Sequence, residues 1–90
     1  MMTADLDIRR RRAAYRAAHR GTKEMDWLLG KFASARLAQM SDEELAEFED
    51  LLAAPDPDLQ LWIMDPAAVP DDRYAALVRV LREFHQLPQS

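Results

Sequence analysis

The chain has 90 residues, of which 49% are apolar and 31% charged, and its net charge is −4 at pH 7. That length supports one hydrophobic core, which argues against a substrate cleft between two lobes. No cysteine is present, which excludes disulfides, thiolate nucleophiles and zinc–thiolate sites. With only two glycines, the composition predicts a small all-α bundle: a single domain over residues 1–90, ordered over about 8–86 with frayed termini.

Charge is divided unevenly along the chain. Residues 1–24 hold seven Arg or Lys against three Asp or Glu, whereas residues 25–90 hold five against thirteen, so a basic end should adjoin an acidic body. No apolar stretch approaches the roughly 20 residues that span a bilayer, and Asp5 and Asp7 argue against a mitochondrial presequence. We therefore expect a bacterial cytoplasmic protein, without membrane insertion, rather than one of the mitochondrial matrix.

The first predicted helix covers about residues 6–19. The positions at helical spacing along it are Ile8, Arg12, Tyr15 and Ala18. We expect it to dock weakly, through its Ile8 and Tyr15 side, because alanine contributes little buried area. Gly21 ends this helix, since glycine adopts a left-handed conformation without steric cost, and Thr22 is the predicted N-cap of the next one.

The second and third helices carry the strongest apolar stripes. The second, about residues 23–38, is the predicted centre of the core, and its inward positions are Met25, Leu28, Leu29, Phe32 and Ala35. Gly30 lies off that stripe and can permit a close helix contact. The third begins at a capping box formed by Ser41 and Glu44. Its core face is Leu45, Phe48, Leu51 and Leu52.

Two shorter helices complete the five-helix bundle. Asp56 is the predicted N-cap of the fourth, with Pro57 at its first position. Its inward residues are Leu59, Trp62 and Ile63. Residues 65–70 are too rich in proline to continue the helix and are predicted to form a loop, after which Asp71 caps the last helix. The stripe of that helix is Tyr74, Leu77, Val78, Leu81 and Phe84.

Candidate catalytic groups are sparse. His19 and His85 each lack a second histidine at helical spacing, so the sequence predicts no metal site. No serine has the context of a nucleophile elbow, and neither a phosphate-binding loop nor GxGxxG occurs, which argues against a hydrolase or a bound cofactor. The acids of the segment 56–58 are explained by capping and turn formation rather than by calcium binding.

Four successive arginines, Arg9 to Arg12, are the main argument for nucleic acid. Residues in succession on a helix point in directions about 100° apart, so this run does not form one groove-reading face. No aromatic stacking set accompanies it, and the net charge is negative. We favour pairing of these arginines with the acidic body or with an acidic partner.

The residues around Gly21 admit both a local and a functional interpretation. Arg20 suits the negative end of the first helix and Glu24 the positive start of the second, which explains their signs without a partner. A glycine also lets another protein's backbone approach closely, and an arginine fork can bind a carboxylate. Trp62 fits the inward stripe of its helix, whereas Trp27 fits less well and is a candidate exposed contact residue.

The motif Arg20-Gly21-x-x-Glu24, followed by Met25-Asp26, resembles the RGxxE signature of the succinate dehydrogenase FAD assembly factors. Further elements in common are Met40-Ser41-Asp42-Glu43-Glu44-Leu45, Phe48, Leu51-Leu52, Asp56-Pro57-Asp58-Leu59 and Trp62. The resemblance covers about residues 8–85, which is nearly the whole chain.

This resemblance implies a five-helix factor that binds the flavoprotein subunit of succinate dehydrogenase, of fumarate reductase, or of both. It would favour the bond between FAD and a histidine of that subunit. No recognisable motif in the sequence binds a cofactor, and nothing in it shows binding of free FAD. Carried over residue by residue, it places Arg20, Gly21, Glu24 and Asp26 at the contact, and Trp27 joins them through its expected exposure. We expect a monomer when free. The alternative is a small antitoxin-like or nucleic-acid-associated regulator, a label that proteins of this kind have carried.

Overall fold

Five α-helices form the part of the chain that the computed structural model describes, residues 2–70 and 72–87. They are α1 (Met2–Ala18), α2 (Lys23–Arg36), α3 (Asp42–Leu52), α4 (Asp56–Met64) and α5 (Asp72–Phe84), with 3₁₀ turns at Leu37–Gln39 and Pro66–Ala68. The prediction of an all-α five-helix bundle is confirmed. Within the described residues, none of the helices combines the length and apolar character needed to cross a membrane.

The core is built around α2, as predicted. α2 packs against α1 and α5, while Phe32 on α2 meets the rings of Phe48 on α3 and Phe84 on α5 at centroid distances of 5.7 and 5.6 Å. The largest fully buried side chains are Phe32, Phe48, Met25, Leu29, Leu45, Leu51, Leu52, Leu59, Ile63, Leu81 and Val78. One position of the predicted α2 stripe is wrong, because Ala35 is exposed and Ala33 is buried in its place.

Two of the predicted helix starts are confirmed. The Met25 N–H donates to Oγ1 of Thr22 at 3.2 Å, which makes Thr22 the N-cap of α2. At the start of α3, the Glu44 N–H donates to Oγ of Ser41 at 3.1 Å, and the Ser41 N–H donates to Oε1 of Glu44 at 2.8 Å. These reciprocal bonds satisfy two backbone donors that the first turn of α3 would otherwise leave unpaired.

The predicted cap of α4 is wrong. Pro55 occupies the N-cap position and offers no side-chain acceptor, while Asp56 is the first helical residue. The carboxylate of Asp56 instead accepts a hydrogen bond from Arg20, so it is committed to another element and does not turn back onto its own helix. The predicted cap of α5, Asp71, lies outside the described residues.

The expected docking face of α1 is also wrong. Ile8 and Tyr15 are 46% and 66% exposed, whereas Ala13 and Ala17 are fully buried. The small alanine side chains let α1 approach α2 closely, and at that short distance no room remains for a tyrosine in the seam. A Cβ built on Gly30 would lie 3.3 Å from the Cα atom of Ala18, which confirms that Gly30 permits a close helix contact.

Arg82 is a buried residue that the sequence pattern did not single out. It lies on α5 with 6% of its surface exposed, and its Nη1 donates to the backbone carbonyl of Ile63 near the end of α4. The last carbonyls of a helix have no partner within the helix, so a guanidinium placed there satisfies one of them. Arg82 therefore connects the ends of α4 and α5.

Candidate partner-binding surface

The turn between α1 and α2 is held by its own hydrogen bonds. Gly21 has a φ angle of +115°, the conformation predicted for it. The N–H groups of Arg20 and Gly21 both donate to Oδ1 of Asp26, at 2.5 and 3.2 Å. Because Asp26 lies on the first turn of α2, its half-buried carboxylate fixes the path by which the chain enters that helix. Asp26 thus faces its own turn.

Arg20 is bound inside the molecule. Its side chain is 11% exposed, and Nε donates to Oδ1 of Asp56 at 2.7 Å. Nη1 donates to the carbonyl of Leu52 at 2.6 Å, and Nη2 donates to the carbonyl of Ala54 at 2.8 Å. The planar guanidinium fork matches this set of acceptors, two of which are carbonyls at the C-terminal end of α3. Arg20 therefore braces the α1–α2 turn against the α3–α4 connection.

Glu24 is exposed on the first turn of α2, three residues after Gly21. Its Oε1 accepts a hydrogen bond from Nε2 of Gln60 on α4 at 3.1 Å. A single bond to an exposed amide orients a carboxylate without removing it from solvent. Glu24 is therefore exposed to solvent with its carboxylate held in a preferred direction.

Trp27 lies one helical turn after Glu24 and is 54% exposed, which confirms its predicted exposure. Its ring centroid is 4.8 Å from that of His85, and Nε2–H of His85 donates to the carbonyl of Leu28 at 2.7 Å. The anchored imidazole supports one side of the indole. Half of a large aromatic surface is thus left in solvent in a fixed position, as in the aromatic anchors of protein interfaces.

The five residues predicted at the contact consequently divide into two groups. Gly21, Glu24 and Trp27 are exposed and are called here the turn surface, whereas Arg20 and Asp26 hold the turn from within. The role of these five in partner binding stays a prediction. The exposed Leu61 and Met64 lie one and four residues after Gln60 on α4 and were not predicted as contact residues, although both lie off the inward stripe of their helix.

The arginine run on α1 is partly neutralised by the acidic body, as favoured from the sequence. Arg9 donates to Asp42 at 2.5 Å and to Glu49 at 2.8 Å, and these hydrogen bonds, that with Glu49 foremost, raise the pKa of Arg9. Arg10 donates to the carbonyl of Met40 at 2.9 Å and lies 3.5 Å from a carboxylate oxygen of Asp7. The contacts with Met40, Asp42 and Glu49 tie α1 to α3 and to the residue pair before it.

Within the described residues, no group of three or more His, Asp or Glu side chains is arranged to hold a metal ion. The turn surface itself offers one carboxylate, one indole and an unhindered stretch of backbone. Such a set suits the recognition of a protein surface.

The family described as "Flavinator of succinate dehydrogenase" matches residues 11–85 of this chain. The chain belongs to this family. The match includes the whole turn surface and all of α2 to α5, and it confirms the resemblance to the succinate dehydrogenase FAD assembly factors.

Individual relatives carry related names. A protein of Acetobacter pasteurianus named "FAD assembly factor SdhE" is 39% identical over 79 residues, which is 88% of this chain and 72% of that protein. Proteins named "Succinate dehydrogenase assembly factor 2, mitochondrial" are 35% identical in Debaryomyces hansenii and 29% identical in Dictyostelium discoideum. The chain spans 58% and 56% of the lengths of these two mitochondrial relatives. No solved structure matches the chain.

Gly21→Ala should destabilise the fold by about 1–2 kcal/mol, because a side chain is strained at a positive φ angle. A Cβ built on Gly21 has no heavy atom within 4 Å, so none of this cost comes from crowding. Urea unfolding followed by circular dichroism measures the change. An alanine variant as stable as the wild type would show that the turn relaxes to another conformation.

Proposed function

We propose that this protein is an assembly factor that binds the flavoprotein subunit of succinate dehydrogenase and promotes the covalent attachment of FAD to it. The observation that carries the proposal is the family match over residues 11–85, which runs through the braced turn and its exposed Glu24 and Trp27. The names of the Acetobacter, Debaryomyces and Dictyostelium relatives agree with it. The flavoprotein subunit of fumarate reductase is a second client in this proposal.

The proposed action is conformational, and the factor is not an enzyme. Bond formation takes place within the client, once FAD and the accepting side chain are held in a reactive arrangement. A binding protein shifts a conformational equilibrium only by its difference in affinity for the two states. A factor that prefers the reactive arrangement about 100-fold would shift the equilibrium by about 2.7 kcal/mol.

A rigid turn surface fits this role. The hydrogen bonds that Asp26 accepts and those that the Arg20 side chain donates fix the turn before any partner arrives, so little conformational entropy is lost when it docks. Glu24 supplies a directed acceptor and Trp27 a large apolar contact. In this proposal the factor acts in the cytoplasm as a monomer and carries no FAD of its own.

The proposal is tested in a bacterial strain that lacks its own factor of this family and expresses the flavoprotein subunit. The tagged full-length chain should capture that subunit, and it should restore the subunit's flavin fluorescence in a denaturing gel, where only covalently attached FAD remains. Fluorescence that is equally strong with and without the chain would refute the proposed function. Capture of nucleic acid in place of the subunit would favour an antitoxin-like regulator.

A further inference from the structure

The outward face of α1 is an apolar and cationic stripe that the core leaves uncovered. Residues Arg12, Tyr15, Arg16 and His19 follow the spacing i, i+3, i+4 and i+7, so they share one side of the helix and its C-terminal end. All four are exposed. We call them the α1 strip. Helical periodicity of this kind usually marks a buried face, yet the buried residues of α1 are the alanines on its opposite side.

The charges of the α1 strip are not neutralised within the described part of the molecule. Arg9, one turn earlier, is bound by Asp42 and Glu49. Arg12 and Arg16, by contrast, make no ion pair or hydrogen bond with any described residue. Two adjacent guanidinium groups therefore remain available to an external anion.

The aromatic members of the strip are ordered before binding. The ring of His19 stacks on that of Tyr15 with centroids 4.0 Å apart and planes 16° apart. Nδ1–H of His19 also donates to the carbonyl of Tyr15 at 2.8 Å, so the imidazole satisfies a carbonyl in the last turn of α1. Tyr15 thus presents a fixed aromatic surface, 66% exposed, beside Arg12 and Arg16.

The strip is continuous with the turn. Tyr15, Arg16 and His19 line a shallow surface cleft together with Arg20 and Asp56, the pair that braces the turn surface. A partner that binds at Gly21 and Glu24 could therefore contact the α1 strip through one continuous surface.

We infer that the α1 strip is a second docking site for the flavoprotein subunit and that it binds an acidic segment of that subunit, one in which carboxylates flank an apolar residue. The inference rests on the proposed function. The carboxylates would pair with Arg12 and Arg16, while the apolar residue would cover the ring of Tyr15. Such charges mainly accelerate association and fix the orientation of the partner.

The size and surroundings of the strip favour a protein segment over nucleic acid. From Arg12 to His19 the strip extends about 10 Å along the helix axis, at about 1.5 Å per residue. A duplex carries one charge per about 1.7 Å and would run beyond the strip, where Arg11 lies near Glu49 at one end and Asp56 lies at the other. A short segment fits between them.

The test compares two double variants that remove the same charge. Arg12→Gln/Arg16→Gln should lower the affinity for the purified flavoprotein subunit about 10-fold, mainly through slower association, and should reduce its dependence on salt. Arg36→Gln/Arg79→Gln changes two exposed arginines outside α1 and should change the affinity by less than twofold. Surface plasmon resonance at two salt concentrations measures the association rate and the affinity of each double variant. Circular dichroism confirms that both variants are folded.

The outcomes separate this inference from the proposed function. If the wild type binds the subunit and both double variants bind alike, the inference is overturned and the proposed function stands. If the wild type does not bind the subunit, both fail. Loss of self-association or of DNA binding in Arg12→Gln/Arg16→Gln, with subunit binding unchanged, would assign the strip to a second copy or to nucleic acid and would also overturn the inference.

Discussion

Replacing Arg20 by methionine is expected to lower the midpoint of thermal unfolding by about 15 °C. Methionine has a similar apolar length but no donor, so it leaves the carboxylate of Asp56 and the carbonyls of Leu52 and Ala54 without the guanidinium. Removing one partner of a largely buried ion pair costs about 3 kcal/mol, and each kcal/mol shifts the midpoint of a domain this size by about 4–8 °C.

Arg20→Lys should fall between methionine and the wild type, because an ammonium group retains the charge but cannot reach three separated acceptors in one plane. Arg79→Met is the matched control: Arg79 is exposed on α5, and its replacement should shift the midpoint by no more than about 4 °C. Circular dichroism at 222 nm follows the unfolding. A midpoint for Arg20→Met within 3 °C of the wild type would show that the hydrogen bonds of Arg20 do not contribute about 3 kcal/mol to the stability of the fold.

Glu24→Lys should weaken binding to the flavoprotein subunit about 100-fold while leaving the fold intact. Among the described residues, the side chain of the exposed Glu24 has one hydrogen-bond partner, Gln60, and the midpoint of unfolding should therefore fall by less than about 5 °C. At an interface, reversing a charge that has a fixed partner costs several kcal/mol, of which about 2.7 correspond to 100-fold. Isothermal titration with the purified subunit measures the affinity.

Glu83→Lys makes the same change of charge at an exposed position in the last turn of α5, where a cation suits the helix terminus. It should bind the subunit as the wild type does. Equal affinities of Glu24→Lys and Glu83→Lys for the subunit would show that Glu24 is not a specific contact. Any loss of affinity shared by the two variants would then come from the change in net charge.

Most of the fold could be predicted from sequence because its determinants are local. The capping box at Ser41 and Glu44, the Thr22 cap and the left-handed Gly21 each depend on residues within a few positions of one another. The stripes of α2 to α4 likewise follow from helical periodicity. The exposure of Trp27 was predictable in the same way, as a departure from its stripe.

The errors and omissions arise from contacts that are distant in sequence. Arg20 meets Asp56 across 36 positions, and nothing in the motif indicates that its guanidinium caps another helix. The same contact explains why Asp56 does not cap α4. On α1, the spacing of apolar residues predicted that Ile8 and Tyr15 would face the core. Because α2 approaches α1 closely at Gly30, the contact between the two helices favours alanine, and the larger side chains are exposed.

These contacts change the interpretation of the RGxxE motif. Arg20 and Gly21 shape the turn, and Asp26 fixes its backbone, while Glu24 and Trp27 are exposed beside it. Variants of Arg20 and variants of Glu24 should therefore fail for different reasons. The first should lose stability, whereas the second should lose binding alone.

The proposed role of the protein is tested most directly in a reconstituted reaction that contains the purified flavoprotein subunit, FAD and the factor. Covalent flavin is measured over time by fluorescence after denaturing electrophoresis. The wild-type factor and Glu83→Lys should accelerate attachment, and Glu24→Lys at the same concentration should return the rate to that seen without factor. Attachment at one rate in all four reactions, the factor-free one included, would show that the protein does not promote FAD attachment.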